Sequence, residues 1–276
     1  MTGRGSTAWV RHPGLAVLAL AVGTATHGAE WPADKGWILG AVEVKSSTPI
    51  AIGLDTRLSA RLYPTPPMTG HDLAELVAEW FPSVSAGDRF VTLEVDRHLR
   101  PPATVISDLR PTFVIDYDQA AVVDLIDGLH ARVGATPSVE QLIELTREHI
   151  TAKDLRRGYD IASVVARRRE GDCTEHAVLL TALLRAHGYP ARVVHGLVLA
   201  GGAAGLRAFG HAWTETVDGS GWRIADAALD TRDGAALYVP LRALRDEGPA
   251  YLADLAQMPI IERVEVEPAR AAPPPE

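Results

Sequence analysis

An almost wholly apolar helix that begins at the chain's only cysteine is the feature that most constrains the fold. Residues 171–188 read GDCTEHAVLLTALLRAHG. Asp172 and Glu175 have the three-residue spacing of a capping box, and Gly188 is a typical stop signal. This pattern predicts a helix of about four turns that has little polar face. Such a helix should run through the core of the domain and not over its surface.

The cysteine itself, Cys173, occupies the first position of this predicted helix. Unpaired backbone N–H groups and the helix dipole favour an anion there, which predicts a thiol pKa lowered from about 8.5 towards 3.5 to 7.5. The free N–H of the same residue is placed to help hold an oxyanion. Because the chain has one cysteine, no intramolecular disulfide can form. The alternative is an inert buried thiol, and the neighbouring residues favour a nucleophile.

A hairpin beyond this helix carries candidate partners for the thiol. A thiolate that attacks amides needs a base, which later acts as an acid, and a group that orients the base. The turn at 218–221 separates two strands, and pairing of Val217 with Trp222 places His211 and Asp226 on one face. As diagonal neighbours they lie about 7 to 8 Å apart between backbone positions, close enough for a carboxylate to orient an imidazole.

Other polar residues near Cys173 allow alternative assignments. His176 and His195 compete for the role of base, but His176 projects from the same helix as the thiol, which suits structural support. Asp172 and Glu175 are predicted to support the helix start and not to take part in chemistry. Although Glu175 and His176 stand close to the cysteine, the chain has neither HExxH nor CxxC. We therefore expect no metal ion and no cofactor.

Two tryptophans border the predicted site. Trp213 lies on the same strand face as His211, and Trp222 begins the following strand. Both are predicted to be core or cleft-wall residues, and substrate binding is their alternative role.

Four motifs in this order resemble the bacterial branch of the transglutaminase-like superfamily. They are GDCTEHA at 171–177 with its leucine-rich helix, GYPARV at 188–193, HAWTE at 211–215, and a tryptophan four residues before Asp226. The resemblance covers residues 135–245. It implies an α+β fold with a papain-like core, in which a buried helix that bears the cysteine packs on an antiparallel sheet.

The resemblance also implies a role for each matching residue. Cys173 would be the nucleophile, His211 the general base and acid, and Asp226 the group that orients the histidine. Many relatives follow this aspartate with Pro-Thr, whereas this chain has Ala227 and Ala228. The strand end after Asp226 is therefore expected to differ in shape.

The N-terminal residues have the composition of an export signal. Basic Arg4 and Arg11 precede an apolar segment at 14–22, and small residues then offer cleavage after Ala25 or Ala29. The apolar segment is too short to span about 30 Å of hydrocarbon comfortably, so no stable membrane anchor is expected. Residues 1–29 therefore predict a signal peptide and a periplasmic or secreted protein.

The remaining chain divides by pattern into three parts. Residues 30–120 read as a strand-rich accessory region, 121–262 as the transglutaminase-like domain, and 263–276 as a Pro/Ala-rich tail. Local patterns predict strands at 37–44, 49–54, 88–95, 112–116, 191–199, 211–217, 222–226 and 260–266. They predict helices at 71–81, from 120, after 138, from 172 and within 239–255, and a loop at 201–210.

Composition excludes several other classes of function. The net charge is −8 and the longest basic run is RRR at 167–169, too short for nucleic-acid binding. The sequence therefore predicts an exported thiol enzyme that acts on peptide or protein amides through a thioester, as a peptidase or amidase. Protein-glutamine transamidase and a non-catalytic binding module remain alternatives. The oligomeric state is left open.

Overall fold

The structure is a computed structural model that describes residues 41–99, 109–152, 159–201, 205–219, 221–229 and 236–269. The described residues form nine strands and six helices. The strands are β1 (Ala41–Ser46), β2 (Leu58–Pro64), β3 (Ser85–Ala86), β4 (Val91–Val95), β5 (Ala191–Ala200), β6 (Arg207–Asp218), β7 (Gly221–Ala225), β8 (Ala236–Ala243) and β9 (Ile261–Pro268). The helices are α1 (Gly70–Val77), α2 (Ala120–Val133), α3 (Val139–His149), α4 (Ala162–Arg168), α5 (Cys173–Ala186) and α6 (Tyr251–Leu255).

One sheet contains all of these strands, in the order β3-β4-β2-β9-β1-β6-β5-β8, with β7 paired to β6. Strand β1 connects the two parts of the sheet, because it pairs parallel with β9 and antiparallel with β6. The strands β5 to β8 form the antiparallel part against which α5 packs. The predicted α+β fold, with a buried cysteine-bearing helix on an antiparallel sheet, is confirmed.

Helix α5 runs through the interior, as its apolar sequence predicts. Every residue from Cys173 to Arg185 is buried. The helix is fixed to β6 by Thr214, whose hydroxyl donates to the carbonyl of Ala177 at 3.0 Å and lies 3.1 Å from the hydroxyl of Thr181. These bonds satisfy polar atoms that burial would otherwise leave without partners.

Two hydrophobic clusters cover the two faces of the β5–β6 sheet. Alternation along β5 sends Val193 into one cluster and Val194 into the other, as the period of two requires. The first cluster unites these strands with β2, β4 and α1. The second holds α2 to α5 and includes Cys173. The strands of the predicted accessory region therefore share a core with β5, β6 and β8.

Two predicted strands are wrong, because each segment forms a turn. Within 49–54, the amide of Gly53 bonds to the hydroxyl of Thr56, and the amide of Thr56 returns to the carbonyl of Gly53. Within 112–116, Ile115 donates to the Thr112 hydroxyl. Apolar residues in these segments have the spacing of a strand, but hydrogen bonds from nearby side chains form turns instead.

Three boundaries also differ from the sequence interpretation. Strand β6 begins at Arg207, inside the predicted loop at 201–210, because it pairs with the far end of β5. All of 239–243 belongs to β8, so the helix predicted within 239–255 is the short α6. Residues 263–268, assigned to the tail, continue β9. The predicted signal peptide and the tail beyond residue 269 lie outside the described residues.

Among the residues that the structure describes, no helix has the length and apolar character needed to cross a membrane.

Candidate active site

The hairpin of β6 and β7 has the register that its turn predicts. Val217 pairs with Trp222, and the ladder continues to Thr214 opposite Ala225. Just beyond this ladder, Nε2 of His211 lies 2.8 Å from Oδ2 of Asp226, the residue that follows β7. The predicted contact between histidine and aspartate is thus present.

That aspartate, Asp226, is held by four hydrogen bonds. Its Oδ1 accepts the backbone N–H groups of Ala228 at 2.8 Å and Leu229 at 3.0 Å. Its Oδ2 accepts from His211 and from the hydroxyl of Tyr238 at 2.7 Å. Burial alone would raise its pKa, but the attraction of His211 when that ring is protonated, together with these hydrogen bonds, lowers the pKa below its usual range. The site therefore contains a fixed, ionised carboxylate.

The strand end after this aspartate is braced from α3. Arg147 donates to the carbonyl groups of Asp226, Ala227 and Leu229 at 3.3 to 3.4 Å. Together with the two amides on Oδ1, these contacts define a turn without the Pro-Thr pair of many relatives. Ala227 and Ala228 are accommodated because the turn is held by backbone atoms.

The hydrogen bond to Asp226 also fixes the tautomer of His211. An ionised carboxylate accepts only, so the proton of the neutral imidazole resides on Nε2. Its Nδ1 is buried and has no hydrogen-bond partner in the described part of the chain. This nitrogen carries a lone pair and is the atom of His211 that can receive a proton.

The thiol of Cys173 lies against the strand that carries this histidine. The backbone N–H of Ala212, the residue after His211, donates to the sulfur. Burial, followed by the charge of Asp172, raises the thiol pKa well above its usual value. The prediction of a lowered pKa is therefore wrong, because it considered the helix start and not the loss of solvent. The sulfur needs a neighbouring base to ionise.

The start of α5 has the predicted capping box. Oδ1 of Asp172 accepts the amide and the hydroxyl of Thr174, at 2.8 and 2.7 Å. Oε2 of Glu175 accepts the amide of Asp172, and its Oε1 accepts the amide of Asp160, at 2.9 and 3.0 Å. The backbone N–H of Cys173 has no hydrogen-bond acceptor among the described residues. The thiol and a free amide thus share a rigid helix start.

The two rival histidines lack the partners of His211. Nδ1 of His176 lies 2.6 Å from the carbonyl of Asp172, which ties it to the helix backbone. Burial lowers the pKa of His195 to about 4, and neither of its ring nitrogens has a partner among the described residues. Of the three histidines, His211 alone is bonded to a carboxylate in the described structure.

The tryptophans lie at different depths. Trp213 is fully buried beneath the site, where it stacks on His211 with ring centroids 6.1 Å apart and meets Tyr238 edge to face at 5.0 Å. Trp222 is buried opposite Val217 on the hairpin. Both contribute to the core in this closed structure, and substrate binding stays a prediction.

Two site residues were missed by sequence reasoning. Tyr238 belongs to an apolar strand and reaches Asp226 only through the pairing of β5 with β8, so no local pattern marks it. Tyr159 is buried next to the cysteine helix and has a positive φ of 59°. The only signal in the sequence was its Gly-Tyr-Asp context. A positive φ is ordinary for glycine and uncommon for tyrosine.

Comparison with known families gives a match over part of the chain. Residues 127–227 match the model of the transglutaminase-like superfamily. This range contains the helix-borne cysteine and the hairpin that carries its histidine and aspartate.

Residues 127–227 form a transglutaminase-like domain.

Solved structures with similarity to the chain include three bacterial proteins. A proposed cysteine protease from Cytophaga hutchinsonii is 18% identical with a TM-score of 0.41, over 80% of this chain and 87% of the other. The periplasmic domain of TgpA from Pseudomonas aeruginosa is 18% identical with a TM-score of 0.39, over 72% and 86%. A proposed protease from Parabacteroides distasonis is 16% identical with a TM-score of 0.30, over 80% and 48%. A comparison with curated proteins gives no match.

The family assignment of the transglutaminase-like domain supports a thiol enzyme as the kind of protein. Among the described residues, no group of three or more His, Cys, Asp or Glu side chains is arranged to hold a metal ion.

Proposed function

We propose that this chain is an exported thiol enzyme that hydrolyses amide bonds of peptides or proteins through an acyl-enzyme thioester. Cys173 is the nucleophile, His211 the base and acid, and Asp226 the orienting carboxylate. The observation that carries the proposal is the bonding of His211. Its Nε2 lies 2.8 Å from Oδ2 of Asp226, while its buried Nδ1 has no partner among the described residues.

Proton transfer to Nδ1 overcomes the high pKa of the buried thiol. Burial disfavours an isolated thiolate, whereas transfer of its proton to His211 would give a thiolate–imidazolium pair in which the two charges stabilise each other. The positive imidazolium is stabilised by Asp226, which stays ionised. The thiol is therefore inert by itself and becomes reactive in the presence of its base.

The reaction then proceeds in two steps. The sulfur attacks the carbonyl carbon and a C–S bond forms. The developing oxyanion accepts a hydrogen bond from the backbone N–H of Cys173 at the start of α5. The intermediate collapses, the C–N bond breaks, and the amine leaves with the proton from His211. Water, deprotonated by the same histidine, attacks the thioester and releases the acid and the thiol.

Product analysis tests the reaction type. The full chain is incubated with a peptide library, with and without an added primary amine, and masses are measured. Hydrolysis adds water across a peptide bond or exchanges a carboxamide for a carboxylate, whereas transamidation adds the mass of the amine and releases ammonia. We expect hydrolysis in both incubations. Amine-dependent products as the main outcome would replace the hydrolase with a transamidase.

Variants test whether the fold catalyses at all. We expect Cys173→Ala and His211→Ala to lose hydrolysis, while His71→Ala, an exposed histidine paired with Asp88, retains it. If the two site variants keep the full biological effect of the protein, a non-catalytic binding module is the better assignment.

Export is proposed from the composition of residues 1–29 alone, with a periplasmic or secreted location. Cell fractionation followed by N-terminal sequencing of the mature protein checks it. Cleavage after Ala25 or Ala29 is expected, and an intact cytoplasmic chain would contradict it.

A further inference from the structure

Two buried aromatic side chains near the thiol present polar atoms without partners. The hydroxyl of Tyr159 and both ring nitrogens of His195 are shielded from solvent and meet no hydrogen-bond partner among the described residues. The two rings lie together, with centroids 5.5 Å apart. Buried polar groups are nearly always satisfied in folded proteins, so three such atoms in contacting rings indicate that something else satisfies them.

The position of these rings places them beside the nucleophile. His195 lies on β5 directly opposite Ala212, whose amide contacts the sulfur of Cys173. Residues directly opposite on antiparallel strands project on the same face. Tyr159 belongs to the same hydrophobic cluster as Cys173. Burial, followed by the charges of Glu247, Glu175 and the Cys173 sulfur, raises the pKa of its hydroxyl. The unpartnered atoms therefore border the reacting centre.

The segment that carries Tyr159 is held in place by bonds that leave its hydroxyl free. Its backbone carbonyl accepts the hydroxyl of Tyr251 at 2.8 Å, and the next amide, of Asp160, donates to Glu175 at 3.0 Å. The residue has a left-handed backbone with φ of 59°, a costly conformation for a bulky side chain. The surroundings thus fix a strained residue whose polar end has no role in the fold itself.

The chemistry of the unpartnered atoms specifies the group that fits them. A neutral imidazole offers one N–H donor and one acceptor, and a tyrosine hydroxyl adds a donor. Arg242, which lies opposite His195 on β8, is paired with Asp254. Burial keeps His195 neutral at pH 7, since its pKa is lowered to about 4. The complement is a neutral group with both a carbonyl and an N–H.

We propose that Tyr159 and His195 form a substrate subsite for an amide group next to the scissile carbonyl, either a backbone peptide or a side-chain carboxamide. The inference deepens the proposed function, since it names the group that the same site recognises. Tyr159 donates to the amide carbonyl, and His195 pairs with the amide N–H.

Alkylation of Cys173 by three reagents tests the subsite without a known substrate. N-iodoacetyl-alanine amide and N-iodoacetyl-glutamine amide carry backbone amides, and the second adds a carboxamide side chain. Methyl methanethiosulfonate has no amide and is the reference. Because Cys173 is the only cysteine, the mass of the intact protein reports each rate. The amide ratio is the alkylation rate with an iodoacetyl amide reagent divided by the rate with methyl methanethiosulfonate. This ratio cancels changes in access to the buried thiol.

The decisive variant is Tyr159→Phe, which removes only the unpartnered oxygen. We expect the amide ratio to fall about three- to tenfold, the range of one uncharged hydrogen bond, while the melting temperature stays equal or rises. Tyr189→Phe, whose hydroxyl bonds to Pro137 at 3.0 Å, is the matched control and should keep the ratio. His195→Leu, checked for folding by circular dichroism, should lower the ratio as well.

The outcomes separate the two proposals. An unchanged ratio in Tyr159→Phe overturns the subsite, because a purely structural hydroxyl would give that result. Failure of every reagent to modify Cys173 faster than free cysteine overturns the proposed function instead. A fall for both iodoacetyl reagents assigns the subsite to a backbone amide. A fall for the glutamine reagent alone assigns it to a side-chain carboxamide.

Discussion

Replacement of Asp226 by asparagine should disable the base without unfolding the domain. The side chain of Asp226 accepts four hydrogen bonds, two on each oxygen, and asparagine keeps one oxygen. If that oxygen faces His211 and Tyr238, the new NH₂ group meets two backbone N–H donors. If it faces the backbone, the NH₂ group meets the histidine and the tyrosine hydroxyl.

The second orientation is favoured, because the Tyr238 hydroxyl and the His211 ring can change from donor to acceptor, whereas a backbone N–H can only donate. Two buried N–H groups without acceptors cost about 2 to 6 kcal/mol, at about 1 to 3 kcal/mol each. A tyrosine hydroxyl can turn to accept, and His211 can accept on Nε2 if its proton moves to Nδ1. That tautomer has no lone pair on Nδ1, the nitrogen proposed to take the thiol proton. The productive tautomer then falls to between about one in thirty and one in ten thousand.

The assay is the rate of Cys173 alkylation by methyl methanethiosulfonate at pH 7. We expect Asp226→Asn to lower this rate between about thirtyfold and ten-thousandfold, with a normal circular dichroism spectrum. Asp218→Asn removes the same charge from an aspartate on the same hairpin, paired with Arg223, and should lower the rate less than threefold. Nitrogen NMR of labelled histidine should show the proton on Nδ1 in Asp226→Asn. A rate within threefold of wild type, or a proton on Nε2, would refute the reasoning.

Three further predictions concern stability and its dependence on pH. Tyr238→Phe should lower the free energy of unfolding in urea by about 1.5 to 3 kcal/mol, the range for a bond to a charged acceptor, and slow alkylation less than tenfold; a loss as large as that of Asp226→Asn would contradict it. Burial and the neighbouring capping aspartate raise the pKa of Glu175 to about 7 from a usual 4.5, so its stabilising contribution is present below pH 4.5 and is lost as pH rises towards 7. Glu175→Gln should therefore flatten the fall of the urea midpoint between pH 5 and 7, and an equally steep fall would disprove this. Gly196→Ala should destabilise by about 1 to 3 kcal/mol in thermal unfolding, because its Cβ would overlap a carbonyl oxygen of β8, whereas Gly219→Ala has open space and should change little.

The parts of the fold that local signals specify were predictable. Helix α5 follows from a capping box and an apolar sequence, and both act within a few residues. The hairpin register follows from its turn, and with it the contact of His211 with Asp226. Each of these features depends on sequence neighbours, which a single sequence displays.

The features that the sequence did not disclose depend on distant pairing. The parallel contact of β1 with β9 and the reach of Tyr238 to Asp226 arise only when remote strands meet. The raised thiol pKa of Cys173 has the same origin, since burial is a property of the packed domain. The strands predicted at 49–54 and 112–116 are wrong for a local reason. Hydrogen bonds from nearby side chains stabilise turns there in spite of the alternating apolar residues.

The place of β9 in the sheet has a consequence for how the protein is made. β9 follows every other described strand in sequence, yet it lies between β2 and β1. While the ribosome is still synthesising the preceding residues, β2 lacks one neighbour and β1 lacks its link to β2. The sheet can be completed only after β9 has left the ribosome, so β2 and β1 stay unconnected until late in synthesis.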